Sequence, residues 1–139
     1  MSSKRTVRTR PGAAALRQAA LFRLSAAIAA AHDEAEVCGR VVQGLHDDAL
    51  GYDFLGVFLV DEATGDRVLR ASLGWPDAPP GWRLRPGQGI SERPLLDGRL
   101  HYTPEVTRDS RYAPALNGGS EVDLPLRIDG KTVGVLIVE

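Results

Sequence analysis

The stretch Leu124–Val138, which reads LPLRIDGKTVGVLIV, decides the fold, because two apolar runs meet in it at Asp129–Gly130. An Asp-Gly pair between such runs is the strongest short-range indication of a two-residue β-hairpin turn. The pattern therefore predicts two antiparallel strands at the end of the chain, Glu121–Ile128 and Lys131–Glu139.

Further strands are expected upstream of this hairpin. Phe54–Val60 is an almost continuous apolar run rich in branched and aromatic residues, which predicts a strand buried on both faces. Asp61–Asp66 has the composition of a turn, and Arg67–Leu73 alternates as a strand that pairs back. Leu100–Thr103 is a further brief strand. Because tight turns join most of these segments, we expect a mostly antiparallel sheet of about five to six strands.

Two helices are expected before the first strand. Over Ala13–Ala31, apolar residues recur at helical spacing, which predicts a helix with one apolar face. Asp33 followed by Glu36 is a capping-box pattern for a second helix that runs to about Leu50. We expect both helices on one face of the sheet, opposite the loop-rich stretch Gly74–Gly89, which makes the predicted fold α+β.

The composition indicates a single globular domain. The chain has 139 residues, of which 43% are apolar and 25% charged, an ordinary balance for one domain. Residues 1–12 are expected to form a disordered basic tail and residues 13–139 the domain. Net charge is −1, although residues 1–32 carry six basic and no acidic side chains. Because these charges are not interleaved with aromatic residues, no nucleic-acid partner is expected.

The single cysteine, Cys38, excludes an intramolecular disulfide, which favours a reducing compartment, and we expect a cytoplasmic protein. The Arg-rich, acid-poor start is also compatible with a mitochondrial-type presequence. Three histidines accompany the cysteine without the spacing of a zinc site, so neither a metal nor a cofactor is expected. No apolar run reaches the length of a transmembrane helix, so no membrane partner is expected.

Five segments in this order resemble the GAF family. They are the entry helices Leu21–Leu50, the strand Phe54–Asp61 (FLGVFLVD), the glycine-rich Pro86–Ile90 (PGQGI), the turn Asp109–Tyr112 (DSRY) and the closing hairpin Leu124–Val138. The resemblance covers nearly everything after residue 20. It implies a GAF/PAS-like fold with N-terminal helices on one sheet face and a loop-rich ligand pocket on the other.

The resemblance implies a sensory or regulatory domain of a bacterial-type signalling protein that binds a small molecule and is not itself an enzyme. GAF domains usually continue into a long C-terminal helix, whereas this sequence stops at Glu139, so a C-terminally truncated domain is expected. A homodimer and an output signalling domain in a longer parent chain are the implied partners. The candidate dimer residues share the apolar face of the first helix and are Leu16, Ala20, Leu24, Ala27 and Ile28.

The sequence lacks features of the specialised branches of the family. The Asn-Lys-x-Phe…Asp-Glu motif of cyclic-nucleotide-binding members is absent. The free-methionine-sulfoxide reductase branch uses several cysteines, and this chain has one. A lone His101 is a weak indication of haem. No catalytic residue is therefore expected.

A ligand pocket is expected beside Glu121 and Asp123, because their carboxylates alternate with apolar residues that face the helices. Aromatic walls with a few convergent polar groups are typical of ligand pockets, here for a polar, cationic small molecule. The candidate ligand-binding residues are Phe58, Trp82, Tyr102, Arg111, Tyr112, Glu121 and Asp123. The alternative is that Glu121 pairs with Arg111 on a solvated surface. A separate alternative for the whole chain is a structural dimerisation or docking module with no physiological ligand.

Overall fold

An antiparallel sheet organises the structure, a computed structural model that describes residues 9–75, 78–110 and 119–139. Within those residues the sheet has six strands in the order β3-β2-β1-β6-β5-β4, and each strand is antiparallel to its neighbours. The strands are β1 (Leu55–Val60), β2 (Arg67–Leu73), β3 (Arg83–Leu84), β4 (His101–Thr103), β5 (Glu121–Ile128) and β6 (Lys131–Val138). The predicted α+β class and antiparallel sheet are confirmed.

The turn that joins β5 to β6 is the predicted Asp129–Gly130 turn. Ile128 pairs with Lys131 across it, and φ is 50° at Asp129 and 79° at Gly130. Positive φ at both central residues matches the right-handed twist of the flanking strands, and Asp and Gly tolerate that conformation better than most residues. The hairpin prediction is therefore confirmed.

Two longer helices and one short helix accompany the sheet: α1 (Ala13–Ala29), α2 (Glu34–Leu45) and α3 (Arg93–Asp97), the last preceded by a 3₁₀ turn at Ile90–Glu92. Among the described residues, no helix combines the length and the apolar character that crossing a bilayer requires.

The start of α2 is capped as predicted, but its end is not where the sequence pattern placed it. The Asp33 carboxylate accepts from the backbone N–H of Glu36 at 2.8 Å, while the Glu36 carboxylate accepts from the N–H of His32 at 3.0 Å. The helix ends at Leu45 instead of Leu50. The Asp47 carboxylate accepts from the Ala49 N–H at 2.9 Å, and this local bond favours a turn over a further helical turn.

The helices form two layers on one face of the sheet. Cys38 and Val42 of α2 pack against Leu55 and Val57 of β1 in a buried cluster, whereas α1 packs mainly against α2. The fit between the helices is close, since a Cβ added to Gly44 would lie 2.6 Å from Leu24 Cδ1.

The predicted dimer residues of α1 are partly covered by α2. Ala20 is buried and Leu24 meets α2 at Gly44, and the Ala27 carbonyl accepts from Arg40 of α2. Leu24, Ala27 and Ile28 are half-buried and Leu16 is exposed, so a dimer through this face stays a prediction.

The opposite face of the sheet carries a second core. It consists of Phe58, Leu69, Val135 and Ile137 from the strands and Trp75, Ala78 and Leu84 from the loop-rich side, with Trp82 and Leu95 packed against them. We call this the loop side of the sheet, and the face covered by α2 the helix side.

Candidate ligand-binding site

The two acidic residues of β5 lie on the loop side of the sheet. Asp123 pairs in register with His101 of β4 and Ile137 of β6, and Ile137 belongs to the loop-side core. Glu121 shares this face because it is two residues away. Glu121 is 2% exposed and Asp123 is 0% exposed, so both carboxyl groups are buried beneath the loop side.

A small cavity adjoins Glu121. Its walls include Phe58, Trp75, Trp82, Ser91, Glu121 and Glu139, and its volume is about 20 Å³, room for roughly one water molecule. The Phe58 ring lies 6.1 Å from each of the two indole rings, measured between centroids. Aromatic walls with a few convergent polar groups are the usual composition of a small-molecule site.

Glu121 is held in its protonated form. Burial raises the pKa of Glu121 to about 11, and the neighbouring carboxyl groups of Asp123 and Glu139 add to the increase. Three neighbouring carboxyl groups do not all ionise, because like charges repel and burial disfavours the charged form. The Glu121 carboxyl is therefore neutral at neutral pH in the unliganded protein.

Asp123 is stabilised by a nearby cation and by the protonated Glu121. Arg93 Nη2 lies 3.6 Å from Asp123 Oδ2, and the Glu121 carboxyl, when protonated, donates a hydrogen bond to the Asp123 carboxylate. Burial raises the pKa of Asp123, whereas Glu121, Arg93 and His101 act in the opposite direction. His101 is itself bound to Asp97, with Nε2 2.8 Å from Oδ2.

Arg93 connects several elements around this site. Its Nε donates to the Ile90 carbonyl at 3.2 Å, its Nη2 donates to Thr103 Oγ1, and its Nη1 lies 4.0 Å from Asp109 Oδ2. The side chain thus ties the start of α3 to β4, to β5 and to the segment after β4.

A second arginine, Arg67 of β2, lies fully buried under the glycine-rich loop of residues 85–89. Its guanidinium donates to the carbonyls of Arg85 and Gln88 and to the hydroxyl oxygen of Ser91. Burial lowers the pKa of Arg67, and the carboxylates of Glu92 and Asp123 oppose the decrease. Since an arginine guanidinium stays protonated in proteins, these contacts hold the loop against the sheet with a permanent positive charge.

The structure brings together four of the seven predicted ligand-binding residues, namely Phe58, Trp82, Glu121 and Asp123, in or beside the cavity. The prediction for Tyr102 is corrected. Tyr102 pairs with Val122 and is 61% exposed, so it lies on the opposite face from the two carboxyl groups. Arg111 and Tyr112 lie outside the described residues, and with them the proposed Glu121–Arg111 pair.

Sequence reasoning missed Trp75, Ser91, Arg67 and Arg93 as members of this site. Two signals were available. Gly56 interrupts the apolar run of β1 opposite Trp75, and a glycine inside a strand often marks a close approach by another group. Arg67 begins a strand that is otherwise apolar, and a charged residue at a core position needs a specific partner.

A larger cavity of about 670 Å³ lies on the helix side, between α2 and strands β1, β5 and β6. Its walls are mostly apolar and include Cys38, whose thiol pKa is raised by burial. We favour the smaller cavity as the specific site, because the buried polar residues Ser91 and Glu121 line it beside aromatic walls. The described residues contain no group of three His, Cys, Asp or Glu side chains able to hold a metal ion.

Solved structures identify the class of fold that this geometry belongs to. The GAF domain of a phosphoenolpyruvate-protein phosphotransferase from Coxiella burnetii has a TM-score of 0.79 and 20% identity, over 92% of this chain and 79% of that one. A methyl-accepting chemotaxis protein fragment has a TM-score of 0.73 and 26% identity, over 87% and 82%. No protein-family model and no curated protein matches the chain. The chain therefore has the fold of a GAF domain.

An enzyme shares this fold as well. The free methionine-R-sulfoxide reductase from Neisseria meningitidis, solved in complex with its substrate, has a TM-score of 0.77 and 24% identity, over 94% of this chain and 75% of that one. The prediction that this chain is not an enzyme is wrong as a deduction from its fold, since the same fold carries catalysis in that protein. The level of identity shows a shared fold and assigns no reaction here.

Proposed function

We propose that this chain is a regulatory domain that binds a small molecule with a protonated amino group in the loop-side cavity. The observation that carries the proposal is the burial of two neighbouring carboxyl groups, Glu121 and Asp123, beside one cavity, with Arg93 in ion-pair contact with Asp123. A buried charge is costly unless it is paired. A ligand ammonium group next to Glu121 supplies a compensating positive charge and three hydrogen-bond donors.

Charge balance supports a cationic ligand over an anionic one. In the unliganded protein the cluster avoids excess negative charge by keeping a proton on Glu121. An ammonium group next to Glu121 favours the ionised carboxylate and lowers its pKa. Ligand binding then releases that proton, so the affinity rises with pH.

The chemistry of a structural neighbour supports a free amino acid or a close analogue as the ligand class. The Neisseria meningitidis protein acts on free methionine-R-sulfoxide, and a free amino acid carries an α-ammonium group, the kind of cation that buried carboxyl groups bind. Thiol chemistry at the cavity has no source in this chain, because Cys38 lies on the helix side of the sheet.

Ligand entry requires the cover of the cavity to move. A volume of about 20 Å³ admits about one water molecule. Trp82 is the partly exposed aromatic wall residue, so a rotation of its side chain is the smallest change that opens the site. We propose that this movement, transmitted through the sheet to α2 and α1, is the signal passed to an output domain in a cytoplasmic signalling protein.

The first test is native mass spectrometry of the purified protein, followed by calorimetric titration. Added mass that disappears on denaturation supports a bound ligand. L-methionine, its R-sulfoxide and N-acetyl-L-methionine serve as probes, because the acetylated compound retains the side chain and loses the ammonium charge. We expect the two free amino acids to bind and the acetylated compound to bind at least about tenfold more weakly, as expected for a charged hydrogen bond.

Glu121→Gln separates recognition from folding. Glutamine resembles the protonated carboxyl of the unliganded state, so the variant should fold at least as stably as the parent. Because it cannot ionise, it should bind L-methionine about tenfold more weakly. Glu62→Gln is the matched control, since Glu62 is 80% exposed in its side chain and pairs only with Lys131 among the described residues. Equal binding by all three proteins would refute the proposed site.

A second function, self-association, is favoured by the surface of α1. Phe22 is 78% exposed, Leu21 is 48% exposed and Leu16 is 45% exposed, on a helix whose residues Ala20 and Leu24 are turned toward α2. An exposed large apolar side chain beside others is typical of an interaction surface. We propose a homodimer through this exposed side of α1, compatible with ligand binding on the far side of the sheet.

A further inference from the structure

The loop-side cavity is lined by hydrogen-bond donors as well as by carboxyl groups. Trp75 is 7% exposed, and its buried indole N–H has no hydrogen-bond partner among the residues that the structure describes. Ser91 is 3% exposed. Both residues line the same cavity as Glu121.

The contact with Arg67 determines the hydrogen-bonding role of the Ser91 hydroxyl. The Arg67 guanidinium donates to the Ser91 hydroxyl oxygen, so that oxygen is an acceptor in this contact. The Ser91 proton must then point elsewhere, and the hydrogen bonds found among the described residues include none that this hydroxyl donates. A hydroxyl that accepts from a cation is also a stronger donor, because successive hydrogen bonds polarise one another.

The Trp75 N–H and the Ser91 O–H are two buried donors for which no acceptor is found among the described residues, so the site is short of a hydrogen-bond acceptor. An unsatisfied buried polar group costs about 1–3 kcal/mol, and native proteins leave few of them. An oxygen atom with negative charge satisfies both donors at once and lies in the favourable field of Arg67. A carboxylate is the simplest such group.

We propose that Trp75 and Ser91, with Ser91 oriented by Arg67, form an oxygen-binding subsite, so that the cavity selects zwitterions over simple amines. This inference rests on the proposed function, because it adds a second recognition element to the same cavity. The carboxyl cluster takes the ammonium group, and the donor pair takes a carboxylate of the same small molecule. Arg67 is a positioning residue here, since it acts through Ser91.

The test compares L-methionine with 3-(methylthio)propylamine, which has the same side chain and amino group but no carboxylate. Titration calorimetry gives both affinities for the parent and for Ser91→Ala, Trp75→Phe and Trp82→Phe. Trp75→Phe keeps an aromatic ring and removes the N–H. Trp82→Phe is the comparison at the other tryptophan of the cavity wall: it can change both affinities, but it should leave their ratio unchanged, because the Trp82 indole is absent from the set of buried unpartnered donors among the described residues.

In the parent protein we expect methionine to bind at least about tenfold more tightly than the amine, the value of one hydrogen bond to a charged group. Ser91→Ala and Trp75→Phe should each reduce this ratio about fivefold or more while the amine affinity stays within about twofold. Arg67→Lys should reduce the ratio in the same direction, whereas a purely structural defect lowers both affinities together.

The outcomes separate the two proposals. If the amine and the amino acid bind equally well in the parent, or if Ser91→Ala and Trp75→Phe weaken both ligands equally, the oxygen-binding subsite is refuted and the amine site stands. If neither compound binds, both proposals are refuted. If Trp82→Phe alone changes the ratio, the donor pair is wrongly assigned. Circular dichroism of each variant confirms that it is folded before titration.

Discussion

Arg93 and Asp123 form an ion pair, with Nη2 3.6 Å from Oδ2, that joins the start of α3 to the centre of β5. Asp123 is 0% exposed, so its charge depends on this partner more than on water. The same arginine contacts the Ile90 carbonyl and the Thr103 hydroxyl. The pair therefore connects the acidic cluster to the elements that surround the cavity.

Replacement of Arg93 should destabilise the fold and increase its response to ligand. Arg93→Gln leaves a buried carboxylate without its cation, which costs about 3 kcal/mol in the free energy of unfolding. Asp123→Asn in the same background should recover part of this loss, because contacting residues are energetically coupled. Urea denaturation of the two single variants and the double variant measures the coupling. Additive effects of the two substitutions would show that the ion pair has no energetic role.

A cationic ligand should stabilise Arg93→Gln more than the parent protein. In the variant the Asp123 carboxylate has lost its neighbouring cation, so a ligand cation interacts with it more favourably than in the parent protein. A ligand that binds only the folded state raises the unfolding temperature. Thermal melts with and without L-methionine at one concentration give the two shifts. A smaller shift in the variant would mean that Arg93 contacts the ligand and does not compete with it for the Asp123 carboxylate.

Stability should decrease as pH rises, because of Glu121. Its pKa in the folded protein is raised to about 11 from an ordinary value of 4.5, so between these values the folded state binds a proton that the unfolded state releases. The contribution of this proton to the free energy of unfolding is complete below the ordinary pKa of 4.5 and is lost as pH rises toward the folded-state pKa of about 11. For one proton, the free energy of unfolding falls by at most about 1.4 kcal/mol per pH unit.

Denaturation at about pH 7 and about pH 9.5 tests this effect above the usual titration range of histidine. The parent and Glu62→Gln should lose stability between the two conditions, and Glu121→Gln should lose less because it has no proton to release. An identical pH dependence in Glu121→Gln and the parent would assign the titration to another group.

Local sequence signals predicted the strands and the orientation of the carboxyl groups. Asp129–Gly130 determines one hairpin because few residue pairs accept positive φ at both positions. Strict alternation along β5 then places Glu121 and Asp123 on one face. Both features depend on only a few neighbouring residues, and for that reason they could be predicted from the sequence.

The partners of those carboxyl groups depend on contacts between distant segments. Arg67 reaches Gln88 and Ser91, more than twenty residues away, and no local pattern indicates which loop will return over it. Tyr102 lies in a strand of three residues, too short for its own alternation to indicate a face. Its register with Val122 decides the orientation, and that pairing is a property of the assembled sheet.

Self-association through α1 should depend on Phe22. Phe22→Ser removes a side chain that is 78% exposed, and Leu96→Ser on α3 is the matched control at 76% exposure. Sedimentation velocity should show a dimer for the parent and for Leu96→Ser, and a monomer for Phe22→Ser, since burial of a large aromatic side chain contributes strongly to association. If the parent is a monomer at high concentration, α1 is not a dimer interface.

Gly56 of β1 should be irreplaceable because Trp75 lies directly over it. A Cβ at this position would lie 2.6 Å from Trp75 Cζ3, so Gly56→Ala must displace an indole ring that is 7% exposed and lines the cavity. Overpacking of this kind costs about 1–3 kcal/mol.

Gly39→Ala in α2 is the control, because no atom lies within 4 Å of its added Cβ and alanine stabilises a helix interior by about 0.5–1 kcal/mol relative to glycine. Urea denaturation should therefore move in opposite directions for the two variants, and the tryptophan fluorescence should change only in Gly56→Ala. Because Trp75 belongs to the donor pair, Gly56→Ala should also weaken methionine binding. Unchanged stability together with unchanged binding would show that Trp75 does not occupy this position over the strand.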